Sequence, residues 1–219
     1  IARREGIGDL LAEGTYRSAL KLTKTKHTDV TQYAVHEKGV AIGAHGVRSG
    51  EDFVNEIGYA CSVQAGDHTS AADTSVRGSG SELTAIFYDS AVYCFFNTFS
   101  LPRDLKWRFY EAVTGWKMTP DEWFGVKGLR ILQLQRTMLL LGGPDHRWDP
   151  KVHDTNPPRF FEPLPSGPYA GKTLNKKEFE KTKGDYYRAV GWDKNGVPKS
   201  SALKRLGLGE VDRVLKEKL

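Results

Sequence analysis

Apolar residues recur at helical rather than strand spacing along most of the chain, and this periodicity sets the expected architecture. Ile7, Leu10 and Leu11, with the later Leu20, lie around Asp9, Glu13 and Arg17 as on an amphipathic helix that Gly14 interrupts. A polar stretch, 23–31, leads to Tyr33-Ala34-Val35-His36, which reads as a short extended piece. Gly39, Gly43, Gly46 and Gly50 then signal an irregular loop. Residues 51–63 read as helix again. The small, polar residues 64–80 read as a long loop, a length that in compact domains tends to belong to functional or mobile segments.

Ser81 stands where a helix N-cap would, and the aromatic-rich run 85–96 is apolar on nearly every side, as buried helices are. Pro102 suits the first turn of a helix whose Leu105, Phe109 and Val113 share one face. Thr119-Pro120-Asp121-Glu122 combines a cap, a first-turn proline and two acids. Ile131, Leu132, Leu134, Met138 and Leu139 continue that helix until Gly142-Gly143. The apolar run 138–141 is expected in the core. The proline-rich interval 144–171 reads as an extended linker along the surface. Asn175 caps a helix carrying Phe179, Tyr186 and Tyr187, and two short helices around Leu203 and Leu215 follow. Period-two alternation is scarce, so the expected fold class is mainly α. The expected division is a helical segment with loops, 1–80, and a helical domain, 81–219.

Composition narrows the function classes. At 219 residues, 39% hydrophobic and 11% aromatic, the chain can bury a sizeable core, which excludes disorder for most of it. Its net charge of +5 arises from 32 basic and 27 acidic residues that are interspersed, which suits an anionic ligand. No basic stripe with interleaved aromatics occurs, so nucleic acid is not an expected partner. No segment approaches the roughly 18 apolar residues of a membrane-spanning helix. Cys61 and Cys94 are too few for a disulfide framework, and a reducing, cytoplasmic setting is the default. The start, Ile1-Ala2-Arg3-Arg4-Glu5, has neither an initiator methionine nor a secretory pattern, so sequence is expected upstream.

Asp89 and Cys94 place a carboxylate and a thiol close together in the apolar run. On one reading Asp89 caps or pairs with a neighbouring helix and Cys94 is a small core residue. On the other, Asp89 accepts hydrogen bonds from a ligand's N–H groups and Cys94 gives a thiolate to a metal cluster whose other ligands lie outside this stretch. His68, after Gly66-Asp67, is either an exposed loop histidine or an acid–base group. His45 and Arg48 form a second polar cluster on a glycine-rich loop that could approach a phosphate. Neither a Cys-x-x-Cys nor a His-Glu-x-x-His spacing occurs, which disfavours a self-contained zinc site.

Taken together, these segments resemble the aldehyde ferredoxin oxidoreductase family. The opening Ile1-Ala2-Arg3-Arg4-Glu5-Gly6-Ile7-Gly8-Asp9-Leu10-Leu11-Ala12-Glu13-Gly14 is similar to the start of its middle helical domain. Tyr33-Ala34-Val35-His36-Glu37-Lys38-Gly39 is similar to its His-x-Lys-Gly pattern, and the run 89–94 to its Asp-x-x-Gly-Leu-Cys motif. Gly191-Trp192-Asp193-Lys194-Asn195-Gly196-Val197-Pro198, followed by Leu203 and Leu206-Gly207-Leu208, is similar to its ending. The resemblance implies an irregular multi-helix C-terminal portion, in two helical domains, of a larger tungstopterin oxidoreductase. Such an enzyme holds tungsten, or alternatively molybdenum, between two pterins beside a 4Fe-4S cluster.

Residue by residue, the resemblance implies that Asp89 binds one pterin and that Cys94 is the last of four cluster ligands. Val92 and Tyr93 replace the motif's Gly-Leu, where backbone would meet the cofactor. His68 falls where the family has the His of a Gly-Ala-Cys-His segment beside the active site, with Gly66-Asp67 replacing Ala-Cys. The segment 43–48 stands where aldehyde-oxidising members show Tyr-Asp-Pro-Arg, and it keeps only Arg48. A changed pocket wall beside a kept cofactor motif points to related metal chemistry on another substrate. The expected activity is therefore reduction of an aromatic coenzyme A thioester, as in the family's tungsten-containing benzoyl-coenzyme A reductase subunit, with His68 as proton donor. The alternatives are an aldehyde:ferredoxin oxidoreductase forming carboxylic acids and a non-catalytic helical scaffold. Implied partners are the upstream part of the same enzyme and an electron-transfer iron–sulfur subunit or ferredoxin. The stretch alone is expected to be inactive.

Overall fold

The computed structural model describes residues 1–43, 57–78, 81–143 and 147–219. Gly14 does interrupt the first helical stretch, which forms α1 (Ile7–Leu11) and α2 (Gly14–Lys26). Thr31–Tyr33 is a 3₁₀ turn rather than extended chain. The extended piece lies later, in β1 (His36–Glu37), which pairs antiparallel with β2 (Val40–Ala41), His36 opposite Ala41 and Glu37 opposite Val40. Lys38 and Gly39 make the turn at φ +44° and +83°, the two positive values that a two-residue type I′ hairpin requires. Of the helix expected over 51–63, residues 51–56 lie outside the described residues and α3 (Gly58–Cys61) is a single buried turn.

α4 (Glu82–Ser90) buries residues 82–88, as an all-round apolar helix should, but it ends before Cys94, and Phe95–Phe99 is a 3₁₀ turn. Ser81 gives α4 no side-chain cap, since its hydroxyl donates to the Val76 carbonyl at 3.0 Å. α5 (Leu105–Thr114) follows Pro102 and leaves Phe109 and Val113 exposed. Thr119 caps as expected, its Oγ1 accepting the Glu122 N–H at 3.1 Å. The helix continues as α6 (Pro120–Glu122), a π turn (Trp123–Lys127) and α7 (Gly128–Leu141). Within the run expected in the core, Leu140 is buried but Met138 is 70% exposed. It lies two residues from both Arg136 and Leu140, on the opposite face of the helix.

The interval 144–171 is not a surface linker throughout. It contains α8 (Pro150–His153), a 3₁₀ turn (Pro158–Phe161) and the buried Asp154, Asn156 and Phe160. α9 (Lys176–Val190) is capped by Asn175, whose Oδ1 accepts the N–H groups of Lys177 and Glu178 at 3.0 and 3.2 Å. α10 (Ser200–Arg205) and α11 (Gly209–Lys218) follow. The fold is mainly α, and no helix among the described residues is long and apolar enough to cross a membrane.

The chain forms two compact units. Unit 1 is Ile1–Ala72 with Lys151–Lys183, and unit 2 is Asp73–Pro150 with Gly184–Leu219. In unit 2, α7 packs against α4 and α11. The segment 191–198 docks onto α7 through buried polar groups. Gln133 donates to the Val190 carbonyl at 2.7 Å and accepts from the Trp192 Nε1–H at 2.9 Å, while Arg136 Nε donates to the Gly196 carbonyl at 2.9 Å and its guanidinium lies 4.2 Å from the Trp192 ring. Satisfying these groups inside the core fixes one register for the tail, because any slip would leave them buried and unpaired.

Candidate functional site

The residues that the sequence singles out around Cys94 share one turn at the end of α4. The Val92 N–H donates to the Asp89 carbonyl at 3.3 Å and the Tyr93 N–H to the Tyr88 carbonyl at 2.8 Å, the two hydrogen bonds of a Schellman motif. Tyr93 stacks on Tyr88 with ring centroids 5.4 Å apart, supplying the hydrophobic contact usual in that motif. Val92 takes the left-handed position at φ +53° and is 94% exposed, so no packing compensates a β-branched residue there. The motif's glycine would adopt this φ at no cost.

This geometry separates the two readings of Cys94. The residue is not in the core; its thiol is exposed and unbridged. Asp89 is exposed as well and lies in the last helical turn, where the carbonyl ends of the helix favour a cation over a carboxylate. Behind them the turn is firmly anchored. Phe87 meets Trp107 at 4.5 Å and Trp123 at 5.0 Å, the Trp123 Nε1–H donates to the Leu83 carbonyl at 2.8 Å, and Lys106 reaches the Tyr88 hydroxyl at 3.3 Å. Burial among these rings pulls the Lys106 ammonium below its usual range, with Arg103 adding to the effect.

His68 belongs to unit 1, in the loop 62–72 that follows α3. The Ala72 N–H closes the base of this loop on the Gly58 carbonyl at 2.9 Å. Asp67 Oδ1 turns the chain by accepting both the N–H and the hydroxyl of Thr69, each at 2.9 Å. His68 is exposed, its Nδ1 3.9 Å from Asp67 Oδ1. Ala65 stands at φ +59°, a conformation that glycine would take more readily. His45 and Arg48 lie outside the described residues.

The family model described as "Aldehyde ferredoxin oxidoreductase, domains 2 & 3" matches residues 1–208. The chain belongs to the aldehyde ferredoxin oxidoreductase family. It is 51% identical over 216 residues to the WOR-like subunit of aliphatic sulfonate oxidoreductase from Pyrococcus furiosus, an overlap of 99% of this chain and 34% of that protein. It is 32% identical over 232 residues to the tungsten-containing aldehyde ferredoxin oxidoreductases of Pyrococcus horikoshii and Pyrococcus furiosus, covering 96% of this chain and 35% and 36% of those proteins. The chain thus spans about a third of the length of these curated relatives.

Within this family member, the Asp89 carboxylate of the α4 turn suits the tungsten pterin that the family implies. An ionised carboxylate accepts hydrogen bonds only, which matches the N–H edge of a pterin. Among the described residues no group of three or more His, Cys, Asp or Glu is placed to hold a metal ion. One group of polar residues escaped the sequence reading. In unit 1, Lys38 Nζ lies 3.1 Å from Asp154 Oδ1 with the two side chains 1% and 0% exposed, and the neighbouring Glu37 is equally hidden. Burial pushes the Glu37 carboxyl well above the usual carboxylate range, with Lys38 opposing and Asp154 adding, and its Oε1 has no hydrogen-bond partner among the described residues. The Lys38-Gly39 pair carried a turn signal, but nothing local in the sequence showed that the lysine is buried.

Proposed function

We propose that this chain forms the C-terminal domains of a tungsten-pterin, iron–sulfur oxidoreductase whose substrate is an aliphatic sulfonate. The observation that supports the cofactor reading is the α4 turn, where the Asp89 carboxylate and the Cys94 thiol are both exposed beside the stacked Tyr88 and Tyr93 rings. The substrate class is supported by the 51% identity to the sulfonate enzyme's subunit against 32% to the aldehyde enzymes. An anionic sulfonate also accords with the chain's net charge of +5.

Each residue has a definite part in this reading. The Asp89 carboxylate accepts N–H hydrogen bonds from a pterin, and the Cys94 thiolate is one of the cluster's protein ligands. The Schellman turn holds both at fixed spacing, with backbone at Val92 and Tyr93 approaching the cofactor. His68 moves a proton at its imidazole, and the loop around it faces the substrate; the assignment of His45 and Arg48 to cofactor binding rests on sequence alone, since both lie outside the described residues. The metal–pterin centre and the cluster, when bound, supply the electron chemistry. Ferredoxin or an iron–sulfur subunit exchanges electrons with the enzyme in the cytoplasm.

A second reading, aldehyde oxidation, is favoured by the aldehyde ferredoxin oxidoreductases at 32% identity. Anaerobic assay of the full-length protein with ethanesulfonate, acetaldehyde and benzoyl-coenzyme A, alongside tungsten, molybdenum and iron analysis, separates these. Turnover of ethanesulfonate is expected. Turnover of acetaldehyde alone would replace the sulfonate reading with the second, and reduction of benzoyl-coenzyme A alone would return the aromatic-ring reading.

A further inference from the structure

We propose that the β1–β2 hairpin is a clamp that positions His68, with Lys38 and Gly66 as the positioning residues. The inference rests on the reading of His68 as the proton-transfer group, and it concerns what holds that group in place. The first point of attachment is Lys38, which makes the hairpin turn. Its Nζ donates to the Ala60 carbonyl of α3 at 2.5 Å and is held from the α8 side by Asp154 at 3.1 Å, with both side chains essentially inaccessible to water. A buried ammonium cannot leave this position without stranding a buried carboxylate, so the link between the turn and α3 is rigid. The loop bearing His68 starts directly after α3.

The second point of attachment is Gly66. A Cβ on this residue would lie 2.5 Å from the Val40 carbonyl oxygen and 3.0 Å from the Ala41 carbonyl carbon and oxygen, so its backbone is seated directly on β2. Lys38 lies in the tight turn and Val40 directly after it, and the loop is therefore fixed to one hairpin both before and after its start. Ala72 closes the far end on Gly58. Only a short span around His68 remains between Gly66 and that closure, and Asp67 already folds it through Thr69. The placement of the imidazole is thereby passed from the hairpin to the loop. Proton transfer is sensitive to placement at the level of about 1 Å, so a clamp of this kind acts on turnover rather than on substrate binding.

The test uses the full-length protein carrying Gly66→Ala, with ethanesulfonate and acetaldehyde as substrates and backbone hydrogen–deuterium exchange of the 62–72 peptide as a readout independent of activity. Exchange in that peptide is expected to accelerate at least about tenfold, and kcat to fall by about ten- to a hundredfold with KM changed less than about twofold and tungsten content unchanged. Should this variant fail to fold, Asp154→Asn decides. It keeps an oxygen for Lys38 but removes the charge, and it should shift exchange and kcat in the same direction by a smaller factor. Unaltered exchange in the variant that folds overturns the clamp. His68→Ala is measured in parallel. If it lowers kcat while Gly66→Ala does not, positioning by the clamp is overturned. If His68→Ala turns over like the parent, the proton-transfer role of His68 falls, and the clamp then stands or falls on exchange alone.

Discussion

Tyr93 and Tyr88 are joined twice, by the Tyr93 N–H on the Tyr88 carbonyl at 2.8 Å and by their rings stacked at 5.4 Å. This double link holds the intervening Val92 at φ +53°, a conformation that costs a β-branched residue about 1–2 kcal/mol. Val92→Gly relieves that strain at some cost in unfolded-chain entropy. A net gain of about 0.5–1 kcal/mol is expected, read as a higher urea midpoint at unchanged slope. A lower midpoint would mean that the turn does not strain Val92.

Cys94→Ala probes the ligand role cleanly because the side chain is exposed and its truncation leaves no cavity. In the full-length protein the helical content is expected to be retained while the iron content falls, with any loss of stability following the loss of iron. A variant with its full complement of iron would remove Cys94 from the ligand set.

Glu37 makes stability depend on pH. An unfolded glutamate titrates near about 4.3, whereas burial holds the proton on the folded Glu37 to higher pH. The native state then binds more protons between these two values. The stabilisation is complete below the unfolded value and is lost as pH rises through the folded one. Glu37→Gln cannot ionise, so its melting temperature should gain on the parent's as pH is raised from about 5 to about 8. A gap that stays constant across that range would show that Glu37 ionises as readily folded as unfolded.

Trp192→Phe keeps an aromatic ring but, besides leaving a small cavity, strips the buried Gln133 Oε1 of the N–H it accepts at 2.9 Å. A loss of about 2–4 kcal/mol is expected, and a smaller one when the same change is made in a Gln133→Leu background, where the acceptor is already absent. Strictly additive effects in this double-mutant cycle would show that the two residues do not share a hydrogen bond.

The helices and most of their ends were legible in the sequence. Thr119 and Asn175 cap where their side-chain oxygens reach the first-turn N–H groups, as such residues do at any helix start. The stop of α4 was hidden for a related reason. Glycine marks a left-handed C-terminal residue, but Val92 occupies that position here, so the apolar run read as one helix through Phe96. Cys94 therefore looked as much like a core residue as a ligand until the turn placed its thiol in solvent.

By itself the sequence determined the mainly helical class, the order of the family's motifs and the residues worth asking about, because periodicity, capping and turn chemistry act over a few neighbouring positions. Only the tertiary structure decided that Lys38 and Asp154 are a buried pair, that Gly66 rests on β2, and that Gln133 and Arg136 hold the tail around Trp192. Each of these joins residues far apart in the chain. Whether a charge is buried or a backbone is touched depends on which distant segments pack against it, and that is a property of the whole fold rather than of any local pattern.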